Sequence, residues 1–238
     1  MSRNLAVITA RGGSKRIPRK NIREFCGRPI IEYSIEAAQR TGIFDEIMVS
    51  TDDAEIAEAA QKAGAKVPFF RSPENSNDFA TTVDVLMEVF KMYRQNGISW
   101  DYACCLYPTA PFLQPDIIKK GMQVLMEKKA TKVMPVVRFS YPPQRCYRIE
   151  EQSGELLMKW PENYRKRSQD LEPLYHDCGQ FYCYDVREFL AERYLERVFP
   201  IVMDEMYVQD IDTPEDWKLA ELKYKLMKGR VDGEDEAL

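Results

Sequence analysis

Short apolar runs alternate with segments of helical periodicity over the first 137 residues of this 238-residue chain. The runs have the length of buried strands, and most of them are followed by apolar residues at i, i+3, i+4 and i+7 spacing. Repeated strand-then-helix units predict an α/β fold, with a mostly parallel sheet and helices on both faces. Ligands of such sheets bind outside the carboxyl ends of the strands. The predicted strands are Leu5–Ala10, Glu46–Ser50, Lys66–Phe70, Tyr102–Leu106 and Lys132–Val137.

Four amphipathic helices are predicted between these strands. The second has the pattern of a capped helix, with Asp52 as the N-cap, Glu55 three residues later as in a capping box, and Gly64 at the end. The four apolar stripes are Ile31, Ser34, Ile35 and Ala38; Ile56, Ala59, Ala60 and Ala63; Val83, Leu86, Met87 and Phe90; and Ile118, Gly121, Met122 and Leu125.

The alternation stops at Arg138. Residues 138–170 are rich in Pro, Tyr and Arg and contain a turn-like Ser153–Gly154 pair, which indicates a hairpin. We therefore expect these residues to form an arm that protrudes from the sheet. Such a charged run is commonly a solvated surface, and the alternative is a contact with a second subunit.

The remaining segments complete one domain over residues 1–238. A strand at Gln180–Tyr184 returns to the sheet, and residues 214–227 have the pattern of a last amphipathic helix. The acidic tail, 229–238, is expected to fray.

Composition excludes several classes of protein. A formal net charge of −4 argues against a general nucleic-acid binder, and no apolar run approaches the ~18 residues of a membrane span. The apolar start is also too short for a signal peptide, so we expect a soluble, cytoplasmic protein. Six cysteines without a Cys-x-x-Cys pair, and a single histidine, argue against a zinc site.

The segment after the first strand carries most of the chemical information. Residues 11–23 contain six cations and no acid, and Gly12 and Gly13 allow backbone N–H groups to approach an anion. Positive charge at the carboxyl end of a strand suits a nucleoside triphosphate. The spacing matches neither the Walker A motif nor the dinucleotide fingerprint. The alternative is a solvated basic loop.

A second candidate is Asp210-Ile-Asp212. In an extended segment the two carboxylates lie on one face, and such a pair suits Mg²⁺ together with phosphate oxygens. The alternative is a turn in which Asp212 caps the last helix.

Five blocks stand out in order along the chain: Ala10–Asn21, Ile47–Asp53, Asn77–Thr82, Tyr107–Pro111 and Asp210–Asp212. Together they resemble the CMP-sialic acid synthetase (acylneuraminate cytidylyltransferase) family. Three stretches, Tyr107–Pro111, Arg167–Pro173 and His176–Tyr182, most resemble its bacterial members that act on pseudaminic acid. The resemblance covers about residues 4–226.

The resemblance implies a Rossmann-like nucleotide-diphospho-sugar transferase fold and a reaction of CTP with a nine-carbon 2-keto sugar acid. The anomeric hydroxyl would attack the α-phosphate and release pyrophosphate. Arg11, Asp210 and Asp212 would be catalytic, and the two aspartates would hold Mg²⁺. The implied CTP-binding residues are Arg11, Gly12, Gly13, Ser14, Lys15, Lys20, Asn21, Ala80 and Thr82.

Three positions differ from the better-known sialic acid synthetases. Those enzymes have Gln at the position of Tyr107, Asn at that of Cys178 and a small residue at that of Gln180. Such exchanges predict a different sugar, because sites that hydrogen-bond their substrate discriminate strongly. We therefore expect Tyr107, His176 and Gln180 to contact the sugar, although a lone histidine is often structural.

The resemblance also implies a homodimer, in which the arm packs on the second subunit and buries aromatics such as Tyr141 and Trp160. Other sugar substrates within the family are N-acetylneuraminic, legionaminic and 3-deoxy-manno-octulosonic acid. A nucleotide-binding module without catalysis is an alternative of another class. A Rossmann oxidoreductase is disfavoured, because the glycine fingerprint is missing.

Overall fold

The structure, a computed structural model, describes residues 2–233, and their side chains as far as residue 229. Its strands alternate with helices as the apolar pattern predicts. In chain order the strands are β1 (Asn4–Thr9), β2 (Glu24–Phe25), β3 (Arg28–Pro29), β4 (Glu46–Ser50), β5 (Tyr102–Leu106), β6 (Lys132–Arg138), β7 (Tyr147–Ile149), β8 (Leu156–Met158), β9 (Tyr175–Asp177), β10 (Phe181–Asp185) and β11 (Val198–Val202). The α-helices are α1 (Ile30–Thr41), α2 (Ala54–Lys62), α3 (Thr82–Gln95), α4 (Pro115–Glu127), α5 (Val186–Leu190) and α6 (Pro214–Gly233).

The main sheet has the strand order β11-β6-β10-β5-β1-β4. β9 pairs with the C-terminal half of β6. β1 pairs in parallel with both β4 and β5, and β6 pairs in parallel with β11. β10 is antiparallel and lies between β5 and β6. The carboxyl ends of the parallel strands therefore meet at one edge, where a ligand is expected.

Helices cover both faces of this sheet, as predicted. Along β1, Ala6 and Ile8 face a core cluster built with α1, α2 and α4, whereas Leu5 and Val7 face a cluster built with α3 and α5. This alternation follows from the two-residue period of a strand. None of the helices in the described part of the chain is both long enough and apolar enough to cross a bilayer.

A third core cluster lies at the edge of the sheet. It joins Ile17 and Phe25, which follow β1, to Ile211 and Trp217, which begin the C-terminal segment. Phe25 and Trp217 make an edge-to-face contact with ring centroids 5.6 Å apart. We call this group the hinge cluster; its buried members are Ile17, Phe25, Ile30, Tyr33, Phe112, Ile211, Trp217 and Ala220. It fixes two segments against each other that are nearly two hundred residues apart in the chain.

The structure corrects several details of the sequence prediction. Residues 66–70 do not form a strand, because only Lys66 makes a bridge to Met48, and Pro68 lacks the N–H to continue a ladder. The N-cap of α2 is Asp53, one residue after the predicted Asp52: its carboxylate accepts hydrogen bonds from the backbone N–H groups of Glu55 and Ile56.

Other corrections concern the C-terminal part. The last helix does not stop at residue 227 but continues to Gly233, so residues 229–233 are helical, and residues 234–238 of the acidic tail lie outside the described residues. Thr213, not Asp212, caps this helix, since its hydroxyl accepts from the N–H of Asp216 at 3.2 Å. Strands β9 and β11 and the short helix α5 were not predicted.

The chain leaves the sheet after β6 and returns at β9. Between them lies the predicted hairpin around Ser153–Gly154, formed by β7 and β8. The segment carries large exposed apolar side chains, among them Tyr141 (89% exposed) and Ile149 (70% exposed). The arm was predicted as residues 138–170, but Arg138 still belongs to β6 and the chain rejoins the sheet only at Tyr175, so the arm comprises residues 139–174.

Candidate active site

The basic loop follows β1 and is held at defined points. Asn21 is buried, and its side-chain amide donates a hydrogen bond to the backbone carbonyl of Arg11 at 2.8 Å. The N–H of Gly12 donates to the Asp52 carboxylate at 2.8 Å. Ile17 anchors the middle of the loop in the hinge cluster. The loop therefore has a fixed shape, and three of its cations, Arg11, Arg16 and Lys20, line one cavity together with Thr9 at the end of β1.

Gly12 has no room for a side chain. A Cβ at this position would lie 2.7 Å from Oδ2 and 2.9 Å from Cβ of Asp53. Asp53 cannot move aside easily, because it caps α2 and accepts a hydrogen bond from Arg19 at 2.6 Å.

We predict that Gly12→Ala destabilises the protein by about 1–3 kcal/mol, the usual cost of overpacking. In a chain of this size this lowers the Tm by roughly 2–4 °C per kcal/mol. Thermal unfolding of Gly13→Ala is the matched control, because no described atom lies within 4 Å of a Cβ at Gly13. Equal melting temperatures for the two variants would contradict the close approach.

The Asp210-Ile-Asp212 segment lies directly against the basic loop. Ile211 is buried in the hinge cluster, so the two flanking aspartates point away from it. The Lys20 ammonium donates to the backbone carbonyl of Ile211 at 2.7 Å and lies 3.4 Å from Asp212 Oδ1. Arg16 lies 3.0 Å from the same oxygen. The structure thus brings together the two segments that the sequence singles out.

Asp210 occupies a site that suits a cation. Partial burial raises the pKa of its carboxyl, the nearby Asp212 carboxylate raises it further, and Lys20 opposes the shift. Two neighbouring carboxylates on one face can share a divalent cation, which removes their mutual repulsion. The donor set therefore fits a hard metal ion completed by phosphate oxygens.

A cavity of about 280 Å³ opens between the basic loop and the start of α3. Most of the predicted nucleotide residues line it, whereas Gly12, Gly13 and Lys15 belong to the same loop without forming its wall. The hydroxyl of Thr82 lies 2.9 Å from that of Tyr107, which places Tyr107 in this wall too. Its lining includes Arg11, Ser14, Arg16, Lys20, Asn21, Arg71, Ala80, Thr82, Tyr107 and Asp212.

Arg71 is a wall residue that sequence reasoning missed. It is buried, and its guanidinium donates to the hydroxyl of Ser50 at 3.0 Å and to the carbonyl of Ser50 at 2.6 Å. Burial lowers the pKa of Arg71, and the Asp52 and Glu88 carboxylates oppose this. The only signal in the sequence is a cation directly after the apolar run 67–70.

Asp78 is a second missed residue. Its two carboxylate oxygens contact the cations of the basic loop, with Oδ1 2.8 Å from Arg11 and Oδ2 against the Lys15 ammonium. Arg11 also donates to the backbone carbonyl of Asn77 at 3.0 Å. The loop before α3 therefore covers the start of the basic loop.

A larger cavity, of about 560 Å³, adjoins the Asp210 side of this region. His176 lies in its wall, and the histidine ring packs against Phe139 with centroids 4.7 Å apart. Tyr182 also lines it and makes an edge contact with Tyr107, with centroids 5.4 Å apart, so the two cavities are neighbours. The full lining is Val137, Arg138, His176, Asp177, Cys178, Gly179, Tyr182, Glu205, Val208, Gln209, Asp210 and Lys223.

Gln180, the third residue predicted to contact the sugar, lies in neither lining. It is 1% exposed, and its side-chain amide donates to the backbone carbonyl of Tyr207. The backbone carbonyl of Gln180 accepts a hydrogen bond from the backbone N–H of Tyr107 at 2.9 Å. Gln180 thus links β10, Tyr107 and the segment before Asp210, while its side chain stays in the core.

The chain is similar to known cytidylyltransferases over most of its length. A sequence profile described as "Cytidylyltransferase" matches residues 5–225. A pseudaminic acid cytidylyltransferase of Campylobacter jejuni is 40% identical over 94% of this chain and 97% of the relative. A CMP-N,N'-diacetyllegionaminic acid synthase of Legionella pneumophila is 34% identical, over 95% of this chain and 97% of the relative.

The fold is also found among solved structures. A CMP:2-keto-3-deoxy-manno-octonic acid synthetase, determined in complex with CTP, aligns with a TM-score of 0.66. The alignment covers 96% of this chain and all of the other, at 20% identity. The Rossmann-like nucleotidyltransferase fold expected from the sequence is therefore confirmed.

Proposed function

Because this chain belongs to the cytidylyltransferase family, we propose that it transfers CMP from CTP to pseudaminic acid and releases pyrophosphate. One observation carries the proposal: Asp212 lines the smaller cavity and Asp210 the larger one. A metal ion on this pair would stand between a nucleotide and a second substrate. The larger cavity has space for a nine-carbon sugar acid, and the smaller one lies against the basic loop.

The chemistry follows from charge and position. The anomeric hydroxyl gives up its proton as its oxygen attacks the α-phosphorus of CTP, a new P–O bond forms, and the bond to pyrophosphate breaks. Arg11, Lys15 and Lys20 neutralise the oxygens of the triphosphate, and Asn21 holds the loop that presents them. Ala80 and Thr82 border the nucleotide at the start of α3. Mg²⁺ held by Asp210 and Asp212 would supply positive charge to the phosphate oxygens and acidify the attacking hydroxyl.

The choice of sugar rests on the identity to the Campylobacter enzyme and on the wall of the larger cavity. His176 and Cys178 line the larger cavity, and Tyr107, in the wall of the smaller one, contacts its lining residue Tyr182 with ring centroids 5.4 Å apart. By the resemblance to sialic acid synthetases, Cys178 stands where those enzymes have Asn. N-acetylneuraminic and legionaminic acids are the alternative substrates.

Pyrophosphate release by the purified protein with CTP and Mg²⁺ tests the proposal. We expect turnover with pseudaminic acid and at least tenfold lower kcat/KM with N-acetylneuraminic acid, because a site that pairs polar groups rejects analogues lacking them. Preference for the second sugar would retain the reaction and overturn the substrate. Binding of CTP without any pyrophosphate release would favour a nucleotide-binding module.

We further propose that the chain is a single catalytic domain that forms a homodimer through the arm. Tyr141, Ile149, Leu156 and Tyr164 are each more than 60% exposed, and Ile149 pairs with Leu156 across the hairpin, which creates an apolar rung on the surface. Exposed apolar groups of this size favour burial against another chain.

The double variant Ile149→Lys/Leu156→Lys should shift the protein from dimer to monomer, because it places two charges in the proposed interface. Sedimentation velocity at micromolar concentration measures the shift. Leu222→Lys, a substitution of an equally exposed leucine on α6, should leave the association state unchanged. A wild-type protein that sediments as a monomer would contradict the dimer.

A further inference from the structure

Asp177 lies at the end of β9, in the wall of the 560 Å³ cavity. Its carboxylate is held firmly: Oδ1 accepts from the Tyr182 hydroxyl at 3.0 Å and from the N–H of Gly179 at 2.8 Å, and Oδ2 accepts from the same hydroxyl at 2.9 Å. An ionised carboxylate can accept about four hydrogen bonds. Within residues 2–229, Oδ2 receives this one donor, so it keeps capacity for another.

Tyr182 reinforces the acceptor character of this wall. Burial raises the pKa of its hydroxyl well above the usual value, with further contributions from Tyr107 and Asp177, so the proton stays on the tyrosine. Since that proton is directed to Asp177, the hydroxyl has only lone pairs left to offer. The Lys132 ammonium lies 4.7 Å from the centroid of the Tyr182 ring and is partly buried, so its positive charge lies beside the Tyr182–Asp177 pair. A ligand must therefore bring a hydrogen-bond donor to this place.

The surroundings of this acceptor are partly apolar. Val137, Val208 and Cys178 line the same cavity as Asp177. A hydroxyl group on a ligand would donate a hydrogen bond to the carboxylate but would make no apolar contact with these side chains. An acylamido group offers an N–H donor together with a small apolar acyl group, so it matches both features.

We propose that Asp177, positioned by Tyr182, is a specificity-determining residue that accepts the N–H of an acylamido substituent on the sugar acid. The inference rests on the proposed function and deepens it, because it names the group of the substrate that the larger cavity recognises. The inference assigns a role in sugar selection to Asp177, whereas the sequence pointed to its neighbours His176 and Gln180.

Asp177→Asn tests the assignment with little change of shape. The amide oxygen can still accept from Gly179, which turns the NH₂ group toward Tyr182 and the cavity, where it opposes a substrate N–H. We expect the KM for pseudaminic acid to rise on the order of 10- to 100-fold, as for a lost hydrogen bond to a charged group, with kcat changed less than threefold. The Kd of CTP should stay within twofold of wild type, as measured by calorimetry.

Tyr182→Phe is the matched second variant, and we expect it to raise the KM less than Asp177→Asn does, because the carboxylate remains. A second comparison varies the substrate and uses pseudaminic acid and an analogue that has a hydroxyl in place of one acylamido group. Wild type should prefer the acylamido sugar, and Asp177→Asn should lose most of this preference, which a merely structural role would not produce. An unchanged preference and KM in Asp177→Asn, with an active wild type, would overturn the role of Asp177 alone. A wild type that binds CTP but turns over neither sugar would overturn both the inference and the proposed function.

Discussion

Arg11→Ala is expected to lower kcat about 10²- to 10³-fold, the usual cost of removing one donor to developing charge. Arg11 lines the nucleotide cavity at the end of β1. In the described part of the chain its guanidinium hydrogen-bonds to groups of the loop before α3, which a triphosphate can replace. Because the larger cavity does not include Arg11, the KM for the sugar should change less than threefold. Steady-state kinetics of pyrophosphate release with each substrate varied in turn measures both effects.

Two further variants make this result specific. Arg11→Lys keeps the charge but not the forked geometry and should recover part of the rate. Arg40→Ala removes an exposed arginine from α1, outside both cavities, and should behave as wild type. If Arg11→Ala retained the wild-type kcat, the assigned role of Arg11 in the transfer step would be wrong.

Asp210→Asn should reduce turnover by a comparable or larger factor, on the order of 10³-fold, since metal-borne charge stabilisation is worth several kcal/mol. The variant should need a higher Mg²⁺ concentration for half-maximal rate, while CTP still binds. Asp212→Asn should behave similarly but also weaken CTP binding, because Asp212 lines the nucleotide cavity and pairs with Arg16.

The double variant gives a sharper test. If the two aspartates act as a unit on one ion, Asp210→Asn/Asp212→Asn should be little worse than either single variant. Fully multiplicative losses would indicate separate roles and would count against a shared metal. Asp116→Asn on α4, where the carboxylate is 94% exposed, is the control for replacing an aspartate as such.

Periodicity predicted the buried part of the fold and failed at its margins. β1, β5 and the helices between them have apolar patterns because both sides of the sheet are covered. β11 escaped prediction because it is an edge strand in which only Ile201 is buried, and β9 escaped because it is three exposed residues long. The false strand at 66–70 had the right composition, but Pro68 interrupts its ladder.

The candidate site was partly predictable for a similar reason. Six cations in thirteen residues and a pair of aspartates two residues apart are local patterns, and the structure brings them together. Arg71 and Asp78 have no such pattern, since each acts through a partner distant in sequence, Ser50 and Arg11 respectively. Asp177 has a partner close in sequence, Tyr182, but only the turn into β10 brings the two side chains together. Asp52 shows how a local pattern can assign the wrong role to a residue. Its position suggested a helix cap, whereas it binds the N–H of Gly12.

The hinge cluster sets the order in which a ribosome can make a working site. The basic loop emerges among the first residues, but Lys20 meets its partner, the carbonyl of Ile211, 191 positions later. Until Trp217 and Ala220 have been synthesised and packed against Phe25, the nascent chain carries six concentrated positive charges without the carboxylates that complete the site. Chains interrupted before this point would hold a triphosphate loop yet lack the opposite wall, so catalysis becomes possible only after residue 220 has been synthesised.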